Sequence, residues 1–390
     1  MSQIFKQSVG VDISKDKFDA CFSVIDYQQR VTVKATRKFS NSKTGFKAFD
    51  EWLTKKANPE VALVFVLEAT GVYYEQLAWH LFEQQAHVCV VLPSRAKHYF
   101  KSVGLKSKND KIDAKGLAQM GAEQALDRWQ PLSTDFYALR TLTRESERLH
   151  QAKTALNNQG HALQHAHIQS KSSIKRIEQH IKLIDKQLST IEKEIEQIVN
   201  QNLQLKQKID KIISVKGLGL MSIVTVLAEC NGFALINNQK QLISYTGYDI
   251  VESQSGTRQG KTRISKKGNS HVRRILHMPA FNVVKYEPRF SSFYNRLIAK
   301  GKTKMQAYVA VQKKLLVLIY TLWEKDEKFR KEKEIDTSSN EELKLLLPGV
   351  FEENRKPAGM LKKVAPTSRA TQDELPCNES LEVLLPVEQS

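Results

Sequence analysis

A heptad repeat of apolar residues most constrains how this chain can fold. Between Ile174 and Ile212, aliphatic residues recur in alternating steps of three and four, while Lys, Glu and Gln fill most other positions. The repeat predicts one continuous coiled-coil helix, roughly 58 Å long, in which the single polar member, Asn202, would fix the register. An upstream seven-residue repeat consists of Leu142, Leu149, Leu156 and Leu163. The apolar face of the predicted coiled-coil helix can therefore pair with this preceding helix or with another chain.

Residues 8–125 show the periodicities of an α/β domain. The predicted strands are 8–13, 18–24, 31–39, 61–67 and 88–92, and the predicted helices are 44–56, 73–84, 94–102 and 110–124. The run 61–67 is the most apolar, which is typical of a buried central strand. Three strands followed by alternating helices and strands are the element order of a ribonuclease-H-like fold.

The charge of the chain is strongly basic. Its 390 residues carry 60 Lys and Arg against 42 Asp and Glu, for a net charge of +18. Such a surplus predicts a polyanionic partner, nucleic acid first and a membrane surface second. No apolar run is long enough for a membrane span, and we expect no signal peptide. The four cysteines form no CxxC pair, which indicates a reducing cytoplasm rather than a zinc site.

These patterns together predict the fold class α/β plus α, divided into four regions. We expect a ribonuclease-H-like domain over 1–130, a coiled-coil dimerisation region over 131–213 and a mostly helical basic domain over 214–330. Residues 331–390 contain an acidic, proline-containing stretch with little periodicity, which predicts a flexible tail.

Four acidic residues of the α/β domain stand where they could meet. Asp12 ends the first strand, Glu68 ends the apolar strand, and Asp110 and Asp113 share one helical face. In a ribonuclease-H-like sheet the first and fourth strands are neighbours, and the last helix packs nearby. Taken singly, each residue could be a turn or cap residue. Together they predict a site for Mg²⁺ or Mn²⁺, because four carboxylates repel one another unless they bind hard divalent cations.

The second domain contains a serine followed by a run of cations. Eight cations are predicted to contact nucleic acid: Lys216 in a glycine turn, then Arg258, Lys261, Arg263, Lys266, Lys267, Arg273 and Arg274. Ser255 precedes this run and could attack phosphorus, with the cations stabilising the developing charge. The chemistry alone leaves this open against a basic loop that only binds backbone phosphate, and it leaves the turn at Lys216 open between phosphate binding and helix packing.

Four ordered motifs resemble those of the DEDD transposases of insertion sequence family 110. They are residues 11–15 (VDISK), 67–71 (LEATG), 108–114 (KNDKIDA), and 255–256 (SG) with 264–269 (ISKKGN). The resemblance covers residues 8–325, with the coiled coil between the two domains.

This resemblance implies a RuvC-like N-terminal domain in which Asp12, Glu68, Asp110 and Asp113 hold Mg²⁺, and a C-terminal transposase domain in which Ser255 forms a phosphoserine link to DNA. It implies homodimers joined through the coiled coil, two of which form a tetramer on paired DNAs with sites shared between protomers. A non-coding RNA of the element would choose the DNA sequences by base pairing. The protein would act in the bacterial cytoplasm, on the nucleoid, without a membrane partner.

Other functions stay open from the sequence. A site-specific DNA invertase would use the same residues. A RuvC-like endonuclease would use the carboxylates with water and would not need Ser255, and a nucleic-acid scaffold would need neither. Ser253 is an alternative nucleophile, two residues from Ser255.

Overall fold

A mixed five-stranded sheet forms the N-terminal part of the chain, in a computed structural model that describes residues 3–105, 109–252, 254–256, 258–260 and 262–329. Its strands are β1 (Ile4–Ile13), β2 (Lys17–Asp26), β3 (Val31–Ser40), β4 (Leu63–Glu68) and β5 (His87–Val91). They lie in the order β3-β2-β1-β4-β5, where β2 is antiparallel to β1 and β3, and β4 is parallel to β1 and β5. The predicted ribonuclease-H-like sheet is confirmed, with the first and fourth strands side by side.

Helices cover both faces of this sheet. They are α1 (Lys43–Thr54), α2 (Glu75–Glu83), α3 (Pro93–Ser102) and α4 (Asp110–Glu123). Successive residues of a strand point to opposite faces, and β4 accordingly contributes to two separate cores. Phe65 and Leu67 pack in the core that includes α1 and α2, whereas Val64 and Val66 pack in the core of α3 and α4.

Small residues let α4 approach β1 closely. A side chain at Gly10 would overlap backbone atoms of Ala114 and Ala118, and one at Gly121 would overlap the hydroxyl of Ser8. Because β1 and α4 carry three of the four predicted carboxylates, this packing decides where those carboxylates lie.

Two long helices, α5 (Thr134–Gln164) and α6 (Lys171–Gln201), fold back on each other as an antiparallel hairpin. Lys153 of α5 pairs with Asp185 of α6, and nearer the hairpin turn Gly160 faces Ile177. The apolar face of α6 is buried at Ile177, Ile184, Leu188, Ile191, Ile195 and Val199. Of the two pairings that the sequence left open, this face uses the preceding helix of its own chain.

The predicted continuous helix is wrong at Asn202, where the chain breaks and α7 (Leu203–Ile213) begins. Asn202 has an extended backbone, with φ −102° and ψ 97°, and its side-chain oxygen accepts from the Leu205 N–H. Its amide nitrogen donates to Asp135, near the start of α5, at 2.8 Å. Asn side chains compete with helical hydrogen bonding, so the residue that was expected to fix the register caps a new helix instead.

The C-terminal part is mostly helical, as predicted. Its helices are α8 (Leu220–Glu229), α9 (Gln239–Thr246), α10 (Ser270–Ile275), α11 (His277–Tyr286), α12 (Pro288–Ala299) and α13 (Lys304–Lys325), with a short 3-10 turn at Asn231–Phe233. Between α9 and α10, β6 (Ile250–Val251) pairs with β9 (Arg263–Ile264), and β7 (Gln254–Ser255) pairs with β8 (Arg258–Gln259).

The core of these helices extends into the base of the helical hairpin, through Ile195 of α6 and Ile209 of α7. No helix of the described ranges combines the length and the apolar character that crossing a bilayer requires. The predicted tail, residues 331–390, lies outside the described residues.

Candidate active site

Three elements bring the four predicted carboxylates to one end of the sheet. In the parallel register of β1 and β4, the residues just before Asp12 and Glu68 pair directly with each other, so Asp12 and Glu68 stand side by side at the strand ends. Helix α4 packs on β1 and begins at Asp110, with Asp113 at the end of its first turn. The cap of α4 is Asn109, whose side chain accepts a first-turn N–H at 2.9 Å. Asp110 is therefore not needed as a cap and is available for another role.

The carboxylates influence one another electrostatically at Asp12. Burial raises the pKa of Asp12 to about 7, and the negative charges of Asp113, Asp110, Glu68 and Asp19 add to that rise. All four predicted residues thus act within one electrostatic cluster. Perturbed acids of this kind are concentrated at functional sites.

Asp19 is a member of this cluster that the sequence analysis missed. It lies directly opposite Asp12 in the β1–β2 ladder, is 4% exposed, and pairs with Lys38 Nζ at 3.3 Å. Directly opposed residues of an antiparallel pair share one face of the sheet. The signal was present in the predicted strand ends, because pairing residue 13 with residue 18 already sets Asp12 opposite Asp19.

The chemistry of these donors fits a hard divalent cation. Carboxylate oxygens are the ligands that Mg²⁺ and Mn²⁺ prefer, and a cation would relieve the repulsion that raises the pKa of Asp12. Across the described residues, no three Asp, Glu, His or Cys side chains already form a group that could hold a metal ion.

Ser255 lies at the tip of an exposed hairpin. It is the last residue of β7, pairs with Arg258 of β8, and is followed by Gly256 in the left-handed region at φ 55°. A side chain at Gly256 would meet nothing within 4 Å, so the turn is open to a ligand. Ser255 stands on a different part of the chain from the carboxylates, in the segment between α9 and α10.

The predicted cations around this hairpin differ in their surroundings. Four have exposed side chains, namely Lys216, Arg263, Lys266 and Lys267. Arg258 pairs through its backbone with Ser255, whereas Lys261 and the alternative nucleophile Ser253 lie outside the described residues. The four exposed cations are open to a polyanion, and their contacts with nucleic acid stay predictions.

The glycine turn at Lys216 is used for packing. The Lys216 N–H donates to the buried carboxylate of Glu287 at 3.1 Å. Gly217 has φ 99°, and a side chain there would meet the backbone of Asn282 and Val283 in α11. The turn itself thus packs against α11, which favours the packing alternative for its backbone and leaves the exposed Lys216 side chain as the group that could reach a phosphate.

Arg273 and Arg274 have protein partners instead of free guanidinium groups. Arg273 donates to the carbonyls of residues 246, 266, 268 and 269, at distances of 2.7–3.2 Å. Arg274 pairs with Glu147 of α5, which is also hydrogen-bonded to His271. Arg273 therefore ties the two ends of the segment around Ser255 together, and the phosphate contacts of both arginines stay predictions.

A buried carboxylate, Glu229 of α8, anchors the same segment. Arg144 of α5 donates to both its oxygens at 2.7 and 2.9 Å, and Asn269, the cap of α10, donates at 2.7 Å. Burial alone would raise the pKa of Glu229, but these donors hold it below its ordinary value. The sequence analysis did not single out Glu229, although an acid at the end of an otherwise apolar helix is a signal of a buried, paired charge.

Family profiles match both the part of the chain that carries the carboxylates and the part that carries Ser255. A profile for the DEDD transposase of IS110 matches residues 9–167, and a profile for the transposase family IS116/IS110/IS902 matches residues 209–295. The chain belongs to the IS110 family of transposases. The two matches include the four carboxylates and Ser255, so the resemblance drawn from the sequence motifs is confirmed.

Relatives of this IS110-family chain align along most of their own length. The pilin gene-inverting protein of Moraxella bovis is 29% identical over 330 residues, which cover 84% of this chain and 98% of that protein. The transposase for insertion sequence element IS1111A of Coxiella burnetii is 22% identical and covers 83% of this chain and 91% of that protein. Among solved structures, T. thermophilus RuvC in complex with a Holliday junction substrate has 10% identity and a TM-score of 0.24, covering 30% of this chain and 93% of RuvC.

Proposed function

We propose that this protein cuts and rejoins DNA through a covalent serine intermediate. The observation that carries the proposal is the gathering of Asp12, Glu68, Asp110 and Asp113 at one end of a ribonuclease-H-like sheet, where burial and the charges of the other three raise the pKa of Asp12. Mutually repelling acids are costly to a fold and are typical of a site that binds cations. Gene inversion and transposition, the processes named for the two relatives, both rearrange DNA.

In this proposal Asp12, Glu68, Asp110 and Asp113 would hold Mg²⁺ or Mn²⁺. The bound ions would supply activation of the attacking oxygen and stabilisation of the leaving oxygen at a phosphodiester. Asp12 would release its proton as the cation binds, since only the ionised carboxylate is a good ligand. Asp19 keeps additional negative charge beside Asp12, partly balanced by Lys38.

Ser255 supplies the nucleophile. Its Oγ forms a bond to phosphorus while the bond from phosphorus to one sugar oxygen breaks, so the serine loses a proton and the released sugar oxygen gains one. A hydroxyl of a second DNA end then attacks the phosphoserine, which rejoins the strand and restores the serine. Arg263, Lys266 and Lys267 are exposed near the hairpin and would stabilise the negative charge that develops on the phosphate.

We propose that the carboxylates and the serine meet between protomers, in a dimer or in a tetramer of two dimers. Ser255 and the carboxylates belong to different parts of the chain, with the α5–α6 hairpin between them in sequence, and this order supports such a shared site. Because the apolar face of α6 is buried against its own chain, contacts between chains would use other residues of the hairpin. The net charge of +18 suits a load of DNA together with a guiding non-coding RNA, on nucleoid DNA in a bacterial cytoplasm.

The electrostatic cluster at Asp12 forms without Ser255, and this favours one second candidate, a structure-specific endonuclease. In that case the carboxylates would act with water, and Ser255 would only contribute to binding. The two candidates predict different products, because only the first leaves protein attached to DNA.

A denaturing gel distinguishes these candidates. The protein is incubated with Mg²⁺, donor and target DNA and the element's RNA, and labelled DNA is examined for a protein adduct. We expect an adduct with the wild type and with Ser253→Ala, none with Ser255→Ala, and neither adduct nor cleavage with Asp12→Asn. Cleavage by Ser255→Ala at the wild-type rate without any adduct would refute the serine intermediate and leave the endonuclease.

A further inference from the structure

A row of aromatic rings lies on the surface formed by α11, α12 and α13. His277, Phe281, Tyr308 and Tyr294 follow one another with centroids 5.0, 3.9 and 4.6 Å apart. All four side chains are partly exposed. Rings that are in contact with one another and still reach solvent form the kind of platform on which unpaired nucleobases stack.

Two cations lie against the ring of Phe293, the residue that precedes Tyr294 in α12. Lys314 Nζ lies 4.2 Å and the Arg296 guanidinium carbon 5.5 Å from the centroid of Phe293. Burial and the charge of Arg296 both lower the pKa of Lys314. No acidic side chain of the described residues pairs with either cation. Two like charges held close without a counter-charge are suited to bind an anionic group such as a phosphate.

The surrounding sequence contains almost no negative charge. Residues 253–323 carry fifteen Lys and Arg and one acidic residue, Glu287. Glu287 is 4% exposed and accepts the Lys216 N–H, so it does not offset the surface cations. The charge of this stretch of sequence is therefore complementary to a polyanion.

Hydrogen bonds connect the aromatic row to the segment that carries Ser255. His277 Nδ1 is 3.1 Å from Gln312 Nε2, and the buried Tyr248 hydroxyl donates to Gln312 Oε1 at 2.9 Å. Tyr248 lies two residues before the β6–β9 ladder from which the Ser255 hairpin projects. One end of the row is thus fixed to the base of that hairpin.

We propose that the aromatic row and the Arg296–Lys314 pair form a second nucleic-acid site, which binds an unpaired strand. Bases would stack on the rings, and the two cations would hold a phosphate. A duplex keeps its bases stacked on one another, so it would not use the rings. The site rests on the proposed function only in that the strand would be one leaving the Ser255 hairpin. The binding itself requires no cleavage.

The test measures binding of the full chain to labelled oligo(dT), oligo(U) and a duplex by fluorescence anisotropy, without Mg²⁺. The double variant Arg296→Gln/Lys314→Gln is compared with Lys55→Gln/Lys56→Gln, which removes the same charge from exposed positions at the end of α1. We expect the first variant to bind single strands about tenfold more weakly than the control, with a salt slope smaller by about 0.7 for the one lost phosphate contact.

Tyr308 provides a second, uncharged test. Tyr308→Ala should weaken single-strand binding about tenfold, whereas Tyr308→Phe keeps the ring and should bind like the wild type. Loss with oligo(dT), oligo(U) or both supports the site and identifies the strand. Binding within twofold of the control, or an equal loss for duplex and single strands, would overturn it. This assay measures binding without Mg²⁺, whereas the adduct gel measures the chemistry, so failure of the serine chemistry and failure of this site remain distinguishable.

Discussion

The carboxylates and the serine have very different structural supports. Asp12 and Glu68 end adjacent strands of the central sheet, and α4 lies so close to β1 that Gly10 has no room for a side chain. Ser255 belongs to a two-residue strand, is exposed, and neighbours a glycine with open space around it. The position of the carboxylates, called the carboxylate end below, is thus set by the fold itself. The Ser255 hairpin projects from the fold and is tied to it at its base by Arg273, which donates to carbonyls on both sides of the segment.

Gly10→Ala should have the largest effect if the carboxylate end is set by close packing. The new methyl group would overlap the backbone of α4, so the helix must move away from β1 and carry Asp110 and Asp113 with it. We expect a loss of about 3 kcal/mol or more in the free energy of unfolding, together with loss of strand exchange. Thermal denaturation and the adduct gel measure both.

The matched control for this variant is Gly219→Ala, at an ordinary φ of −97° with nothing within 4 Å of the new methyl group. It should leave the melting temperature almost unchanged. A Gly10→Ala protein as stable as this control would show that α4 can shift freely, and the contrast between the two ends would disappear.

The elements of the sheet could be predicted because each follows from local periodicity. Alternation and apolar runs placed all five strands within a few residues, and the ends of the first and fourth strands already brought Asp12 and Glu68 together. The break at Asn202 could not be predicted from the heptad repeat. Its bond to Asp135 comes from the other helix of the hairpin, and a periodic pattern contains no information about partners distant in sequence.

Arg144→Ala tests what holds the base of the serine segment. It would leave the Glu229 carboxylate buried with Asn269 as its remaining side-chain donor. We expect a loss of about 3 kcal/mol, the low end of the range for breaking a buried pair, because Arg144 itself is partly exposed. Adduct formation should fall as well, since Asn269 also caps α10 at the end of the Ser255 segment.

Arg148→Ala is the control for this variant, since Arg148 is exposed one turn further along α5. Urea denaturation of both proteins gives the comparison. Equal stability of the two variants would mean that Glu229 does not depend on Arg144, and the anchor of the serine segment would have to lie elsewhere.

Asp12 makes the carboxylate end sensitive to pH. Its pKa is raised to about 7 in the folded protein, so the folded state binds more protons than the unfolded state between about pH 4 and 7. The metal-free protein should therefore lose stability as pH rises through this range. Cation binding should behave in the opposite way, because a proton competes with the ion below pH 7.

We expect the Mg²⁺ concentration for half-maximal activity to rise about tenfold for each pH unit below 7, as one proton is displaced. Mg²⁺ titrations at several pH values measure this. Asp19→Asn, which removes one of the charges that raise the pKa of Asp12, should move the whole profile to lower pH. A requirement that is constant from pH 6 to 8 would contradict the role of Asp12 as a ligand.

The role of individual cations was harder to predict than the carboxylate site. Composition correctly marks residues 258–274 as basic, but it cannot distinguish Lys266, which is exposed, from Arg273, whose guanidinium donates to four carbonyls. Arginine has the geometry to bind phosphates and backbone carbonyls alike, so its partner depends on the tertiary structure. The same holds for Glu229, whose buried ion pair forms only because α5 and α8 pack together.

Gly256→Ala should have the smallest effect on stability and still reduce activity. Alanine at φ 55° is disfavoured by about 1–2 kcal/mol, but the new methyl group meets nothing, so the exposed hairpin can rearrange locally. We expect an unchanged melting temperature and an adduct that forms about tenfold more slowly, because the conformation presenting Ser255 becomes rarer. Gly256→Asn should recover part of the rate, since Asn tolerates left-handed backbone better than Ala. A fall in melting temperature as large as that of Gly10→Ala would instead mean that the hairpin is as firmly built into the fold as the carboxylates are.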